Sequence, residues 1–125
     1  MTHRVVLVDD SEGDLLYTRL MFERAGLDVA LEACETADDA LATLDNGPAV
    51  ALILMDINMP AMDGFELLDA LQSRPAAPPP VAVLSSSPNP LDESRARRHP
   101  IVRDYLTKPV TPAQLRGLME RLGLP

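Results

Sequence analysis

The chain has 125 residues, 46% of them hydrophobic, which suits one packed core and leaves no room for a second domain. Eleven Lys and Arg against nineteen Asp and Glu give a net charge of −8, which opposes non-specific attraction to a nucleic-acid backbone or an anionic membrane. Apolar runs such as residues 50–55 are too short to span a bilayer, MTHRVVLVDD holds no signal-peptide core, and the lone Cys34 excludes an internal disulfide; a reducing, cytoplasmic setting is expected, with Cys34 as a small buried hydrophobe.

The β-branched, apolar residues 4–8 predict a strand, and Ser11-Glu12-Gly13-Asp14 then resembles a capping box that opens a helix to about Ala25, closed by Gly26. Residues 28–33 predict a second strand, and Thr36-Ala37-Asp38-Asp39 caps a helix running to Asn46-Gly47. Residues 50–55 are almost continuously apolar, as strands covered on both faces are. An irregular turn through Asn58, Pro60 and Gly64 leads into a helix over residues 63–73. The proline-rich residues 74–80 predict an extended connector, because proline excludes both helix and central strand. Residues 81–84 form a fourth strand, Asn89-Pro90 starts a short helix that Pro100 ends, and residues 102–106 form a fifth strand. Thr111-Pro112-Ala113-Gln114 caps the last helix, where Leu115, Leu118, Met119 and Leu122 keep the spacing of a core-facing stripe. Five strands alternating with helices predict a parallel sheet with right-handed crossovers and helices on both faces; a closed barrel needs about eight such units.

Polar residues mark the strand ends: Asp9-Asp10 after the first, Asp56 after the third, Ser85-Ser86-Ser87 after the fourth, Thr107-Lys108 after the fifth. Taken singly, each is more simply a turn-former or helix cap. Ligands of open parallel sheets, however, bind outside the carboxyl ends of the strands where the strand order reverses. If the strand order is 2-1-3-4-5, that crevice collects Asp9, Asp10, Asp56, Ser85 and Lys108 around one point. Crowded carboxylates repel and call for a cation, and a donor set of oxygens without His or Cys selects a hard ion such as Mg²⁺. Acids, Mg²⁺, a lysine and a hydroxyl suit phosphoryl transfer, with a carboxylate as the nucleophile. His3 and His99 fall at no strand end of the crevice and are poor candidates for catalysis.

VLVDDSEGD, LILMDINMPAMDG, VAVLSSS and DYLTKP, in that order and over essentially the whole chain, resemble the receiver domain of two-component response regulators, the CheY-like family. The resemblance implies a flavodoxin-like (βα)5 three-layer sandwich, with residues 1–125 as a single receiver domain. It implies that Asp56 is the phospho-acceptor, Asp10 a direct Mg²⁺ ligand, Asp9 a ligand through water, and the Asn58 backbone carbonyl another. Ser85 takes the hydroxyl role that senses the phosphoryl group, Lys108 binds a phosphoryl oxygen, and Tyr105 occupies the aromatic switch position. Asn58 and Ser87 fall where this family tunes the lifetime of the acyl phosphate, and Lys108-Pro109 resembles a bond that is cis. More narrowly, SSSPNP and DYLTKPV resemble stand-alone receivers serving phytochrome-type sensor kinases.

A sensor histidine kinase or phosphotransfer protein is then the expected phosphodonor, and the chain a signalling module with self-dephosphorylation rather than a metabolic enzyme. With Pro125 directly after the last helix, no attached output domain is expected, and the expected output runs through another protein or through a homodimer on the face of the fourth helix, fifth strand and fifth helix. Neither nucleic acid nor membrane is an expected direct partner. One departure is the basic stretch Arg95, Arg97, Arg98, His99 and Pro100, which replaces the small-residue pattern usual before the fifth strand and predicts a short or displaced fourth helix. With Arg103 it forms a basic patch, read as a solvated face or as a docking surface for an acidic partner. Two alternatives differ in class. A haloacid-dehalogenase-like Mg²⁺ phosphatase needs a second aspartate two residues after the nucleophile, where this chain has Asn58; a phosphorylation-independent interaction module has no need of the intact acid set.

Overall fold

A computed structural model describes residues 2–59, 62–86 and 89–124. In chain order these form β1 (His3–Val8), α1 (Glu12–Ala25), β2 (Val29–Cys34), α2 (Ala37–Asp45), β3 (Leu52–Asp56), β4 (Asn58–Met59), β5 (Met62–Asp63), α3 (Gly64–Gln72), β6 (Val81–Ser85), α4 (Pro90–Arg97), β7 (Val102–Thr107) and α5 (Pro112–Arg121). The main sheet is parallel, in the order β2-β1-β3-β6-β7. Once the two-residue strands β4 and β5 are set aside, this is the predicted 2-1-3-4-5 order.

Hydrophobic patterning explains the layering. Every residue of β3 and β6 is buried, whereas the edge strands β2 and β7 mix buried with exposed positions because each lacks a neighbour on one side. Along β1, Val5 and Leu7 join Leu52, Leu54, Ala82 and Leu84 in a core shared with Leu15 and Phe22 of α1 and Leu115, Leu118 and Met119 of α5. The alternate residues Val6 and Val8 join Ile53, Met55, Val81 and Val83 against Phe65, Leu68 and Leu71 of α3 and Ala96 of α4. This is the expected three-layer sandwich, built by the period-two alternation of strand side chains. Cys34 lies buried in the second core, where burial pushes its thiol pKa up, in keeping with a packing role.

Some boundaries differ from the expected ones. The third strand begins at Leu52 and includes Asp56, which pairs in register with Leu84. The turn after it is more regular than the sequence suggests, since Asn58 pairs with Asp63 and Met59 with Met62 in a short antiparallel ladder. Gly64 then starts α3, and it must be glycine: a Cβ there would lie 2.5 Å from the Cα of Ile57. The Lys108–Pro109 peptide bond is cis.

The fourth helix is short, at eight residues. Its arginines are engaged within the fold: Arg95 stacks 3.9 Å from the Phe65 ring centroid, and Arg97 pairs with Glu93 at 2.9 Å. Arg97 also lies 3.8 Å from Asp104, a carboxylate that Arg121 contacts as well. His99 Nε2 lies 2.7 Å from Asp69 of α3, on the flank of the domain rather than in the crevice. Among the described residues, no helix is long and apolar enough to cross a membrane.

Candidate functional site

Register brings the polar strand ends to one edge of the sheet. Val8 is opposite Met55, Asp56 opposite Leu84, and Ser85 opposite Thr107. Asp9, Asp56, Ser85 and Lys108 therefore emerge side by side although they span a hundred residues of sequence. Asp9 and Asp56 are each only 6% exposed, and Ser85 is fully buried.

Lys108 organises the acids. Its ammonium donates to Asp9 Oδ2 at 2.5 Å, Asp14 Oδ2 at 2.8 Å and Asp56 Oδ2 at 2.9 Å, so all three N–H bonds are used. Burial by itself would depress the Lys108 pKa, but the hydrogen bonds that its ammonium donates to Asp14, Asp9 and Asp56 outweigh it and hold the pKa above the ordinary lysine range. Burial acts the other way on Asp9 and raises its carboxyl pKa, only partly offset by hydrogen bonds from Lys108 and the Ser11 amide. The remaining oxygen of Asp56 is also held, since Oδ1 accepts from the Asn58 backbone N–H at 2.8 Å. On the far side of that turn, the Asn58 side-chain amide donates to Ser85 Oγ at 2.9 Å.

Together these contacts join Asp9, Asp56, Asn58, Ser85 and Lys108 into one connected group. Ligand oxygens of Asp9, Asp14 and Asp56 all lie within 4.8 Å of one another. Asp10, half-buried in the bend after β1, is not a member of that triad. Tyr105 lies on β7 in register with Val83, packed against the core, with its hydroxyl buried and lacking a hydrogen-bond partner among the described residues. Ser87 lies outside the described residues. The donor set suits a hard divalent ion: the acids are oxygen donors clustered tightly enough that a lysine ammonium already serves as their counter-charge.

A family profile described as the response regulator receiver domain spans residues 5–120. The chain belongs to the response regulator receiver family. This receiver domain is 33% identical over 116 residues to the sensor histidine kinase GacS of Pseudomonas protegens, a match covering 90% of this chain and 12% of that protein. It is 32% identical over 119 residues to the two-component response regulator ORR7 of Oryza sativa subsp. japonica, covering 94% of this chain and 55% of that protein. The receiver domain thus spans only part of the length of these relatives. Among solved structures it resembles the bacteriophytochrome response regulator AtBRR, with a TM-score of 0.84 at 25% identity, covering 100% of this chain and 95% of that one. The phosphorylated cyanobacterial phytochrome response regulator RcpA gives a TM-score of 0.79 at 27% identity, covering 96% and 93%.

Asp14 is the site residue that the sequence reading missed. It passes there for a helix cap, and no strand ends beside it. The available signal is positional: Asp14 sits in the first turn of α1, directly after the loop that carries Asp9, so its side chain can return to the sheet edge.

Proposed function

We propose that this receiver domain takes a phosphoryl group onto Asp56 from a histidine kinase or phosphotransfer protein, and that the resulting acyl phosphate switches partner binding. The observation that carries this reading is the setting of Asp56: a buried carboxylate at the end of a central strand, bonded to Lys108 and one turn from the Asn58–Ser85 pair. In the transfer, an Asp56 oxygen forms the new bond to phosphorus while the donor's phosphorus–nitrogen bond breaks. Lys108 is already in place to hold a phosphoryl oxygen, and such chemistry depends mainly on positioning and charge neutralisation. Asp9, Asp10, Asp56 and the Asn58 carbonyl are the proposed Mg²⁺ ligands. The ion, when bound, would supply charge neutralisation for the acids and the incoming phosphoryl group.

Ser85 and Tyr105 are the proposed switch. Burial of the Tyr105 hydroxyl without a partner among the described residues costs about 1–3 kcal/mol, a penalty that an outward rotamer relieves, so the two arrangements need differ little in energy. Loss of the group by hydrolysis, at a rate tuned by Asn58 and Ser87, would reset the state. Output through a separate protein target, or through a homodimer on the α4–β7–α5 face, and a cytoplasmic location complete the reading. Kinship with a sensor histidine kinase and a two-component response regulator supports the choice of phosphodonor. The phosphatase alternative is disfavoured by Asn58, whose side chain is committed to Ser85.

The test is incubation with Mg²⁺ and acetyl phosphate, followed by intact mass and oligomeric state. The wild type should gain one phosphoryl group and Asp56→Asn none, with its fold retained. Stable incorporation into Asp56→Asn would overturn the assignment.

A further inference from the structure

The motif Ser11-x-x-Asp14 has the pattern of a capping box, yet it closes only halfway. Asp14 N donates to Ser11 Oγ at 3.2 Å, as the motif requires. The reciprocal bond is missing because the Ser11 backbone N–H donates to Asp9 Oδ1 at 2.9 Å instead. At α5 the same type of box closes fully: Gln114 N donates to Thr111 Oγ1, and Thr111 N donates to Gln114 Oε1 at 2.9 Å. The contrast is informative. At α1 the strand-end Asp9 takes over the capping task, and the Asp14 carboxylate is released to reach Lys108.

From this we infer that Asp14 is a positioning residue for Lys108, a deepening of the proposed function that rests on Asp56 as acceptor. Three carboxylates hold the ammonium, but two have another task in that function: Asp56 becomes an acyl phosphate, and Asp9 is a proposed metal ligand. Only Asp14, which belongs to the same acidic cluster but is not one of the proposed Mg²⁺ ligands, is free to keep its bond throughout. With one N–H fixed on Asp14, the others are directed at the phosphoryl position, and the lysine is not left to swing into solvent. A second tie runs parallel to this one, since the Tyr17 hydroxyl donates to the Val110 carbonyl at 3.1 Å. Between the two ties lies a cleft of about 230 Å³ lined by Asp14, Tyr17, Thr18, Lys108, Pro109 and Val110. Helix α1 thereby holds the β7–α5 connection at two points, one of which is the ammonium itself.

A beryllofluoride titration at saturating Mg²⁺, followed by ¹⁹F NMR, reads phosphoryl-analogue affinity at Asp56. Asp14 is half exposed, so solvent screening limits the effect: Asp14→Ala should weaken binding roughly threefold to fivefold, the scale of a partly exposed ion pair. Asp14→Asn, which keeps the shape and one acceptor oxygen, should lose less. In a Lys108→Ala background, Asp14→Ala should cost nothing more, because its partner is gone. Equal losses in both backgrounds, or no loss in the first, would overturn the positioning role. If the wild type failed to bind beryllofluoride, the acceptor reading would fall and this inference with it, an outcome distinct from a wild type that binds and an Asp14 series that does not change.

Discussion

The side-chain amide of Asn58 donates to Ser85 Oγ at 2.9 Å, so the residue two places after Asp56 and the hydroxyl at the end of the next strand form one hydrogen-bonded unit. The proposed tuning of lifetime and the proposed sensing of the phosphoryl group are therefore physically linked. Asn58→Arg replaces a small amide with a long cation beside the path of an in-line water. Dephosphorylation after removal of the phosphodonor should slow by roughly threefold to tenfold, the scale of one oriented polar contact. The effect should be non-additive with Ser85→Ala because the two side chains touch. Unchanged decay in Asn58→Arg would refute the tuning role.

Ser85→Ala removes a fully buried hydroxyl and leaves the Asn58 amide to find water. Asn58 is exposed, so the stability loss should stay near 1 kcal/mol or below. Phosphorylation of Asp56 should continue, while the accompanying change at the Tyr105 ring, followed by NMR with and without beryllofluoride, should weaken. A Tyr105 response of full size in this variant would remove Ser85 from the coupling.

The raised carboxyl pKa of Asp9 sets a sign for pH dependence. Burial lifts it above the unfolded value of 3.8. A carboxyl whose pKa is raised on folding contributes stability that is fully present below the unfolded pKa and lost as pH rises through the folded one. At neutral pH the ionised Asp9 thus detracts from metal-free stability. Asp9→Asn should be the more stable protein in urea unfolding at pH 7 with EDTA, and this advantage should shrink as pH falls toward the unfolded value. Added Mg²⁺ should then stabilise the wild type more than Asp9→Asn, because a ligand bound by the native state shifts the equilibrium by mass action. A variant less stable than wild type in EDTA would contradict the sign.

Gly64→Ala tests the packing beneath the acceptor loop. Alanine favours a helix over glycine by about 1 kcal/mol, yet its Cβ would meet Ile57 backbone at 2.5 Å. The clash should win, with a net destabilisation of roughly 1–3 kcal/mol in thermal unfolding. Since Ile57 joins Asp56 to Asn58, beryllofluoride affinity should fall as well. A neutral or stabilising outcome would show that this loop moves freely.

Much of this domain is readable in the chain because its determinants are local. The apolar runs of β1, β3 and β6, the cap at Thr111 and the stripe of Leu115, Leu118 and Met119 follow from side-chain period and capping chemistry, which neighbours in sequence already specify. The positions of Asp9, Asp56, Ser85 and Lys108 were legible for the same reason, since each directly ends or follows a recognisable strand. The short β4–β5 ladder was not, because two-residue strands carry no periodic signal.

By itself, then, the sequence determined the layer architecture, the strand order through family resemblance, and the identity of the acids, hydroxyl and lysine at the crevice. Only the tertiary structure decided how those groups are shared out. Whether Asp14 caps its own helix or reaches Lys108, ninety-four residues away, depends on whether Asp9 has already taken the Ser11 amide. Whether Asn58 serves its turn alone or also holds Ser85 depends on β3 and β6 lying side by side in one register. Hydrogen-bond donors and acceptors are few and compete, and the winner among several chemically equivalent partners is set by distances that exist only once the strands have paired.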